Sequence, residues 1–251
     1  LDAVPHLVEN SGKDWNDQPQ SRALTKQFAD MIRAYPGRHV VCEATAKPID
    51  YGRADLCGGA FAFGYVHHFG KAALGEAESV KQLATYYTQN SANMGTFVSN
   101  HDQFAGKRLW DQVGGDEARY KLAAAAYLLQ PGTPFIYYGE EIGQAGVNTM
   151  RGDLPLRSPM SWSHDPGTAG FTTGTPFRPL APNATSHNAE AQQTDPESIH
   201  AFYKAMLTLR NTRPSIARGS YERSFAQGLL LGFERHLGRE NDQQRRDQPG
   251  Q

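Results

Sequence analysis

Apolar residues along this chain fall into two patterns: short unbroken runs, and longer stretches that repeat every three or four positions. The clearest run is Met94-Gly95-Thr96-Phe97-Val98-Ser99, whose β-branched and aromatic residues predict a strand buried on both faces. It ends abruptly in Asn100-His101-Asp102. His39–Ala44, Ala60–Tyr65 and Thr133–Tyr138 repeat the design. Helical stretches lie between these runs. Arg22 to Arg33 places Leu24, Phe28, Met31 and Ile32 on one stripe and stops before Pro36-Gly37, and Glu78 to Tyr87 does the same with Val80, Leu83 and Tyr87. Glu117 to Leu129 has Asp116 and Glu117 at its positive end and closes at Pro131-Gly132. Asp195-Pro196 is expected to cap a helix running to Arg210, with Ile199, Phe202, Met206 and Leu209 on one face.

Helix, short turn and buried strand in alternation is the rhythm of a parallel α/β sheet. In such a sheet the C-terminal strand ends form one mouth, and ligands and chemistry sit there. Three carboxylates occupy candidate strand ends: Asp2 in the opening Leu1-Asp2-Ala3-Val4-Pro5-His6, Glu43 in Val41-Cys42-Glu43-Ala44, and Asp102. The Gly-, Pro- and Ser-rich region from Gln144 to Gln193 shows no period and reads as a long functional or disordered loop. From Tyr221 the pattern shifts toward a β-type module, with Leu229-Leu230-Leu231-Gly232-Phe233 as a strand. Arg239 to Gln251 is too polar to build a core and reads as a disordered tail.

Composition changes this picture little. A chain of 251 residues holds one large domain or two smaller ones. A net charge of −1 with both signs interspersed gives no electrostatic case for nucleic acid or an anionic membrane as partner. No apolar run approaches the length of a membrane-spanning helix. Cys42 and Cys57 are too few for a disulfide framework. Pairing and burial as two small hydrophobes both stay open, and burial unpaired is the expectation. The chain starts at Leu1 directly inside a motif, so it reads as truncated at its N-terminus, with any signal region outside it.

Four motifs, in order, resemble glycoside hydrolase family 13, the α-amylase family: Leu1-Asp2-Ala3-Val4-Pro5-His6, Val41-Cys42-Glu43-Ala44, Phe97-Val98-Ser99-Asn100-His101-Asp102, and Gly132-Thr133-Pro134-Phe135-Ile136-Tyr137-Tyr138-Gly139-Glu140-Glu141. The resemblance runs from residue 1 to about residue 215. It implies an α/β fold, a (β/α)8 TIM barrel of which residues 1–215 supply about strands four to eight, followed over 216–251 by the truncated start of a β-type C-terminal domain. It implies retaining hydrolysis of α-1,4-linked glucans or malto-oligosaccharides, with Asp2 as nucleophile, Glu43 as acid and base, and Asp102 orienting sugar hydroxyls and stabilising the transition state. By the same resemblance His101 hydrogen-bonds that sugar and His6 lines the leaving-group side. Arg157, in Arg157-Ser158-Pro159-Met160-Ser161-Trp162, matches a loop of members acting on short malto-oligosaccharides and is a candidate substrate contact. Trp162 and Phe171 are candidate sugar-stacking rings.

The residue types suit the chemistry. Retention needs two carboxyls about 5–5.5 Å apart, and a developing oxocarbenium ion favours a further anion nearby. No cofactor is required, no metal ligands are assigned, and a structural calcium is compatible with the resemblance but has no identifiable ligands in this chain. The substrate is the implied partner, and an extracellular or periplasmic location is what the family suggests. The family's Arg two residues before the nucleophile, and its Asp-and-His motif on strand three, would lie upstream of Leu1. The chain by itself is therefore expected to be inactive, with open parallel edges.

Three alternatives remain. A metal-dependent hydrolase using His6, His67, His68, His101 and Asp102 lacks a recognisable ligand spacing and leaves the strand-end carboxylates unused. An amylase-like interaction module without catalysis would typically lack one or more of the three carboxylates, and all are present. Transglycosylation and sugar isomerisation, as in a trehalose synthase, use the same machinery.

Overall fold

The computed structural model describes residues 1–90 and 92–238. Five extended segments lie side by side, in chain order. Leu1 N donates to Val41 O at 2.7 Å and Glu43 N to Leu1 O at 2.8 Å, so the opening residues pair with the Glu43 segment. Cys42 N donates to Gly59 O and Phe61 N to Cys42 O; Ala62 N donates to Gly95 O; Thr96 N donates to Thr133 O and Phe135 N to Thr96 O. Regular pairing is confined to β1 (Ala60–Phe61) and β2 (Met94–Gly95), which are parallel with Ala60 opposite Met94. Single parallel bridges, Cys42 to Ala60 and Thr96 to Pro134, extend it on both sides.

The six-residue strands expected from the apolar runs are thus much shorter. After β1 the chain turns at once: Phe63 N donates back to Phe61 O, and Gly64 takes φ +85, a conformation open to glycine. At the far edge Tyr137 and Tyr138 sandwich the buried guanidinium of Arg108, 4.8 Å from each ring. Arg108 donates to Tyr138 O and Leu156 O, so those residues serve a side-chain clamp rather than a ladder.

Around the sheet lie α1 (Pro19–Arg33), α2 (His67–Ala73), α3 (Ala77–Gln89), α4 (Glu117–Leu128) and α5 (Ile199–Thr212), followed by the antiparallel hairpin β3 (Ser220–Gln227) and β4 (Leu230–His236). On α3 the residues Val80, Leu83 and Tyr87 are buried, as their spacing predicts. Asp116 caps α4 by accepting from Arg119 N. The α4 C-terminus is satisfied from a distance: buried Arg210 on α5 donates to Leu128 O and Gln130 O at 2.8 Å, and to Gly132 O. A cation there suits the exposed carbonyls of a helix end. The hairpin packs on α3, where the Tyr221 and Tyr87 rings lie 6.2 Å apart.

Several sequence expectations need correction. Three of the four residues of the α1 stripe are turned outward: Leu24, Phe28 and Met31 are 37%, 45% and 57% exposed, while Ser21, Thr25 and Ala29 are buried and Ile32 is half-buried against the core. Small side chains let this helix come close to the Val4–His6 turn, where Ser21 Oγ accepts from Val8 N. Cys42 and Cys57 are joined in a disulfide, Cα atoms 6.3 Å apart, rather than buried singly. The cap of α5 is Ser198, which accepts from Ala201 N, because Asp195 is engaged in its own turn with Glu197 N. The aperiodic region from 144 to 193 is ordered on side-chain amides: Gln144, Asn183 and Gln192 each bond backbone groups far away in sequence. The tail expectation for 239–251 lies outside the described residues.

One buried acid stands apart from the sheet. Glu140 accepts from the hydroxyls of Tyr127 and Tyr203, and its backbone carbonyl accepts from Tyr120, which ties the 140 turn to α4 and α5. Burial pushes its carboxyl up to about 7, partly opposed by the two tyrosine hydroxyls. The unfolded chain releases this proton near the ordinary value of 4.5. Between 4.5 and 7 the native state therefore binds more protons, and stability falls as pH rises across that window, by about 3 kcal/mol in all. Urea unfolding of the full-length protein is expected to show this loss, and Glu140→Gln is expected to flatten it. An identical pH dependence in the two proteins would exclude Glu140 as its source.

Candidate active site

All five segments contribute to one cavity of about 370 Å³, lined by Asp2, Glu43, Ser99, Asn100, His101 and Tyr137 together with an aromatic set. Phe61, Phe97 and Phe135 form that set, with ring centroids 5.5 and 4.7 Å apart in edge-to-face contacts around Phe61. The polar side chains thus stand against an apolar wall, where charge interactions are less screened than in water.

Asp2 and Glu43 come together because their segments are neighbours in the sheet. Just past Asp2 the chain bends at Ala3, φ +43, and Ala3 N donates to Glu43 Oε2 at 3.1 Å. The two carboxyls influence each other in opposite directions: hydrogen bonding to Glu43 holds Asp2 below the usual carboxylate range, while burial, and then Asp2, raises Glu43. Of two neighbouring acids the more buried one holds a proton more readily, and here that is Glu43.

Asp102 is fixed from several sides. Arg157 Nη2 lies 2.7 Å from its Oδ1, His101 Nε2 lies 3.3 Å from its Oδ2, and its backbone N–H donates to Asn100 Oδ1. The Asp102 charge also contributes to raising Glu43. Arg157 also donates from Nε to the His101 carbonyl at 2.9 Å and from Nη2 to Asp153 at 3.0 Å, and Asp153 in turn accepts from Gln103 N. Arg157 reaches the site, then, through Asp102. His6 is not among the residues lining the cavity; its ring is stacked on Trp15 and its Nε2 lies 3.4 Å from Thr45 Oγ1.

The structure thus brings Asp2, Glu43 and His101 to one cavity, with Asp102 and Arg157 beside it and His6 outside its lining. Sequence reasoning missed Asp153, Tyr137 and Trp15. The i, i+4 spacing of Asp153 and Arg157 was a readable signal; a lone loop tryptophan was not. His67 and His68 sit on α2, where His68 Nδ1 meets Ser79 Oγ at 3.0 Å. Among the described residues no group of three or more His, Cys, Asp or Glu side chains is placed to hold a metal ion, and no helix is long and apolar enough to cross a membrane.

Comparison with known proteins agrees with this arrangement of elements. Residues 1–219 match the family described as alpha amylase, catalytic domain. The chain is 27% identical to the trehalose synthase/amylase TreS of Mycobacterium tuberculosis, over 88% of this chain and 45% of that protein. It is 29% identical to the probable oligo-1,6-glucosidase 2 of Bacillus subtilis, over 59% of this chain and 33% of that one. The crystal structure of an alpha-amylase from H. orenii superposes with a TM-score of 0.73 at 22% identity, covering 95% of this chain and 48% of that one. The chain spans under half the length of each of these relatives, and its fold is part of an α/β barrel.

Proposed function

Because the chain belongs to the α-amylase catalytic-domain family, glycoside hydrolase family 13, we propose that the protein cleaves α-glucosidic bonds with retention, acting on α-1,4-linked malto-oligosaccharides. The observation that carries this reading is the Asp2–Glu43 pair, two carboxyls lining one cavity whose proton affinities are shifted in opposite directions. Glu43 protonates the glycosidic oxygen as the bond breaks, and Asp2 attacks the anomeric carbon to form a glycosyl-enzyme ester. Glu43, now a carboxylate, takes the proton of an incoming hydroxyl, which releases the sugar and restores both groups. A retaining site holds two such carboxyls about 5–5.5 Å apart, with the substrate oxygen between them. Asp102, held by Arg157, faces the sugar hydroxyls with His101 and supplies the further anion that the transition state favours. No step calls for a cofactor.

The incoming hydroxyl belongs either to water or to another sugar. Transfer is the second reading, favoured by the likeness to a protein named trehalose synthase/amylase. The finer architecture belongs to the same proposal: the five segments are strands four to eight of the barrel, and the β3–β4 hairpin begins a β-type domain. A disulfide beside Glu43 supports an extracellular or periplasmic location.

Incubating the full-length protein with maltose, maltotriose, isomaltose and trehalose, with products followed by NMR, tests the proposal. The α-anomer of glucose, or of a transfer product, is expected first from maltose or maltotriose. Initial release of the β-anomer would remove Asp2 as nucleophile, and no product from any of the four would overturn the reading.

A further inference from the structure

Arg157, whose guanidinium holds Asp102, directly follows the turn Leu154–Leu156, and its side chain is 36% exposed. An ion pair made by a partly exposed arginine contributes little unless the backbone beneath it is already fixed, because the long side chain gives up rotamer freedom to make it. Here the backbone is fixed. The residues on either side of Arg157 both have their carbonyls taken. Leu156 O accepts from Arg108 Nη2 at 2.7 Å and from the Tyr137 hydroxyl at 3.0 Å, and Ser158 O accepts from the Tyr138 hydroxyl at 2.6 Å. Arg157 N itself donates to Leu154 O at 3.2 Å.

Arg108 also belongs to the connection that carries Asp102. After Asp102 the chain makes the turn Gln103–Ala105, passes Gly106 at φ +110 and reaches Arg108, the cap of the short helix Leu109–Gln112. Gln112 Nε2 closes this connection on itself, donating to Lys107 O at 2.6 Å and to Val98 O at 2.7 Å. The guanidinium of Arg108 is buried between the Tyr137 and Tyr138 rings. A planar fork stacked between rings has a fixed direction, which a lysine ammonium lacks. Asp102 and Arg157 thus reach each other from two separate loops, and one buried side chain ties those loops together. Its backbone ends the Asp102 connection, and its fork grips the carbonyl before Arg157.

We infer that Arg108 and the Tyr138 hydroxyl are positioning residues: they set where Arg157 stands, and Arg157 sets which way the Asp102 carboxylate faces. This rests on Asp102 being the anion that meets the sugar. Neither Arg108 nor Tyr138 lines the cavity, so both act through Arg157. With the clamp loosened, the Leu154–Ser158 stretch drifts and Arg157 releases Asp102 Oδ1. Asp102 then keeps only His101 Nε2, at 3.3 Å, beside its carboxylate.

A double-mutant cycle on maltose turnover by the full-length protein separates positioning from packing. Tyr138→Phe keeps the ring over Arg108 and removes one hydroxyl from a residue that is 39% exposed, so little packing is lost. It is expected to lower kcat/KM about fivefold, the worth of one hydrogen bond, and Arg157→Ala to lower it about a hundredfold. Combined, the two are expected to cost no more than Arg157→Ala alone, because a residue acting through Arg157 then has nothing left to act on. A further drop of about fivefold in the combined variant, or no loss from Tyr138→Phe by itself, would overturn the assignment. Arg108→Lys, which keeps the charge without the fork, is expected to show the same non-additivity with Arg157→Ala, and additive losses would remove Arg108 from the role. A wild-type protein that does not turn over maltose counts against the reading of the site instead. The clamp is then read without substrate, from the Arg157 Nε proton donated to the His101 carbonyl. Its NMR signal, assigned by its loss in Arg157→Ala, is expected to exchange with solvent about tenfold faster in Tyr138→Phe. Unaltered exchange rejects the clamp.

Discussion

Asp2→Asn is expected to remove turnover by about four orders of magnitude on every substrate while leaving the fold intact. The amide is nearly isosteric, and the Asp2 side chain is exposed, so little packing depends on it. What disappears is the nucleophile, because an amide oxygen does not form the glycosyl ester. A leaving group that needs no help, such as fluoride, cannot rescue this variant. The neighbour should respond as well: Glu43 is raised partly by its bond to Asp2 and by the Asp2 charge, so its titration should move down when that charge is gone. Steady-state rates on maltose and α-glucosyl fluoride, with circular dichroism as the folding control, check the first point. Retention of more than about a hundredth of wild-type activity would mean that another group attacks.

Glu43→Gln is expected to act selectively. Protonation of the leaving oxygen contributes about 10² to 10⁴ in rate, so maltose turnover should fall by roughly 10³-fold. With α-glucosyl fluoride the first step needs no proton, and a burst of one fluoride per enzyme should precede a slow phase limited by the missing base. Azide, which attacks the ester without base catalysis, should speed that phase. The pH profile follows from the same pair. Glu43 is raised, so its acid form persists above the ordinary glutamate range, and maltose turnover falls as pH rises through that raised value. Asp2 is lowered, so the acid limb lies below the ordinary aspartate range. In Glu43→Gln the alkaline limb should vanish. No burst, or equal losses on the two substrates, would take Glu43 out of the acid role.

Much of the site was legible in one dimension because strand-end chemistry is a local pattern. Asn100-His101-Asp102 after an apolar run, and Glu43 after another, announce polar side chains at sheet ends wherever the strands go. The buried face of α3 was legible for a similar reason, since a 3.6-residue period is written into the spacing of Val80, Leu83 and Tyr87. Periodicity says that a helix has an apolar stripe, and it does not say which neighbour arrives. On α1 the close approach of the Val4–His6 turn favours Ser21, Thr25 and Ala29, and Leu24, Phe28 and Met31 face outward.

Distances between residues far apart in sequence were decided only by the tertiary structure. Cys42 and Cys57 pair because folding sets their Cα atoms 6.3 Å apart. Glu140 is lifted to about 7 because the fold buries it, against the opposing pull of the Tyr127 and Tyr203 hydroxyls, and an isolated heptapeptide around it would titrate normally. Asp102 gains Arg157, 55 residues away, and Trp15 comes to lie on His6. The sequence by itself determined which candidate groups stand at the segment ends and in what order they occur. Their charge states and partners depend on burial and on contacts at a few ångströms, and those exist only once the chain has brought its segments together.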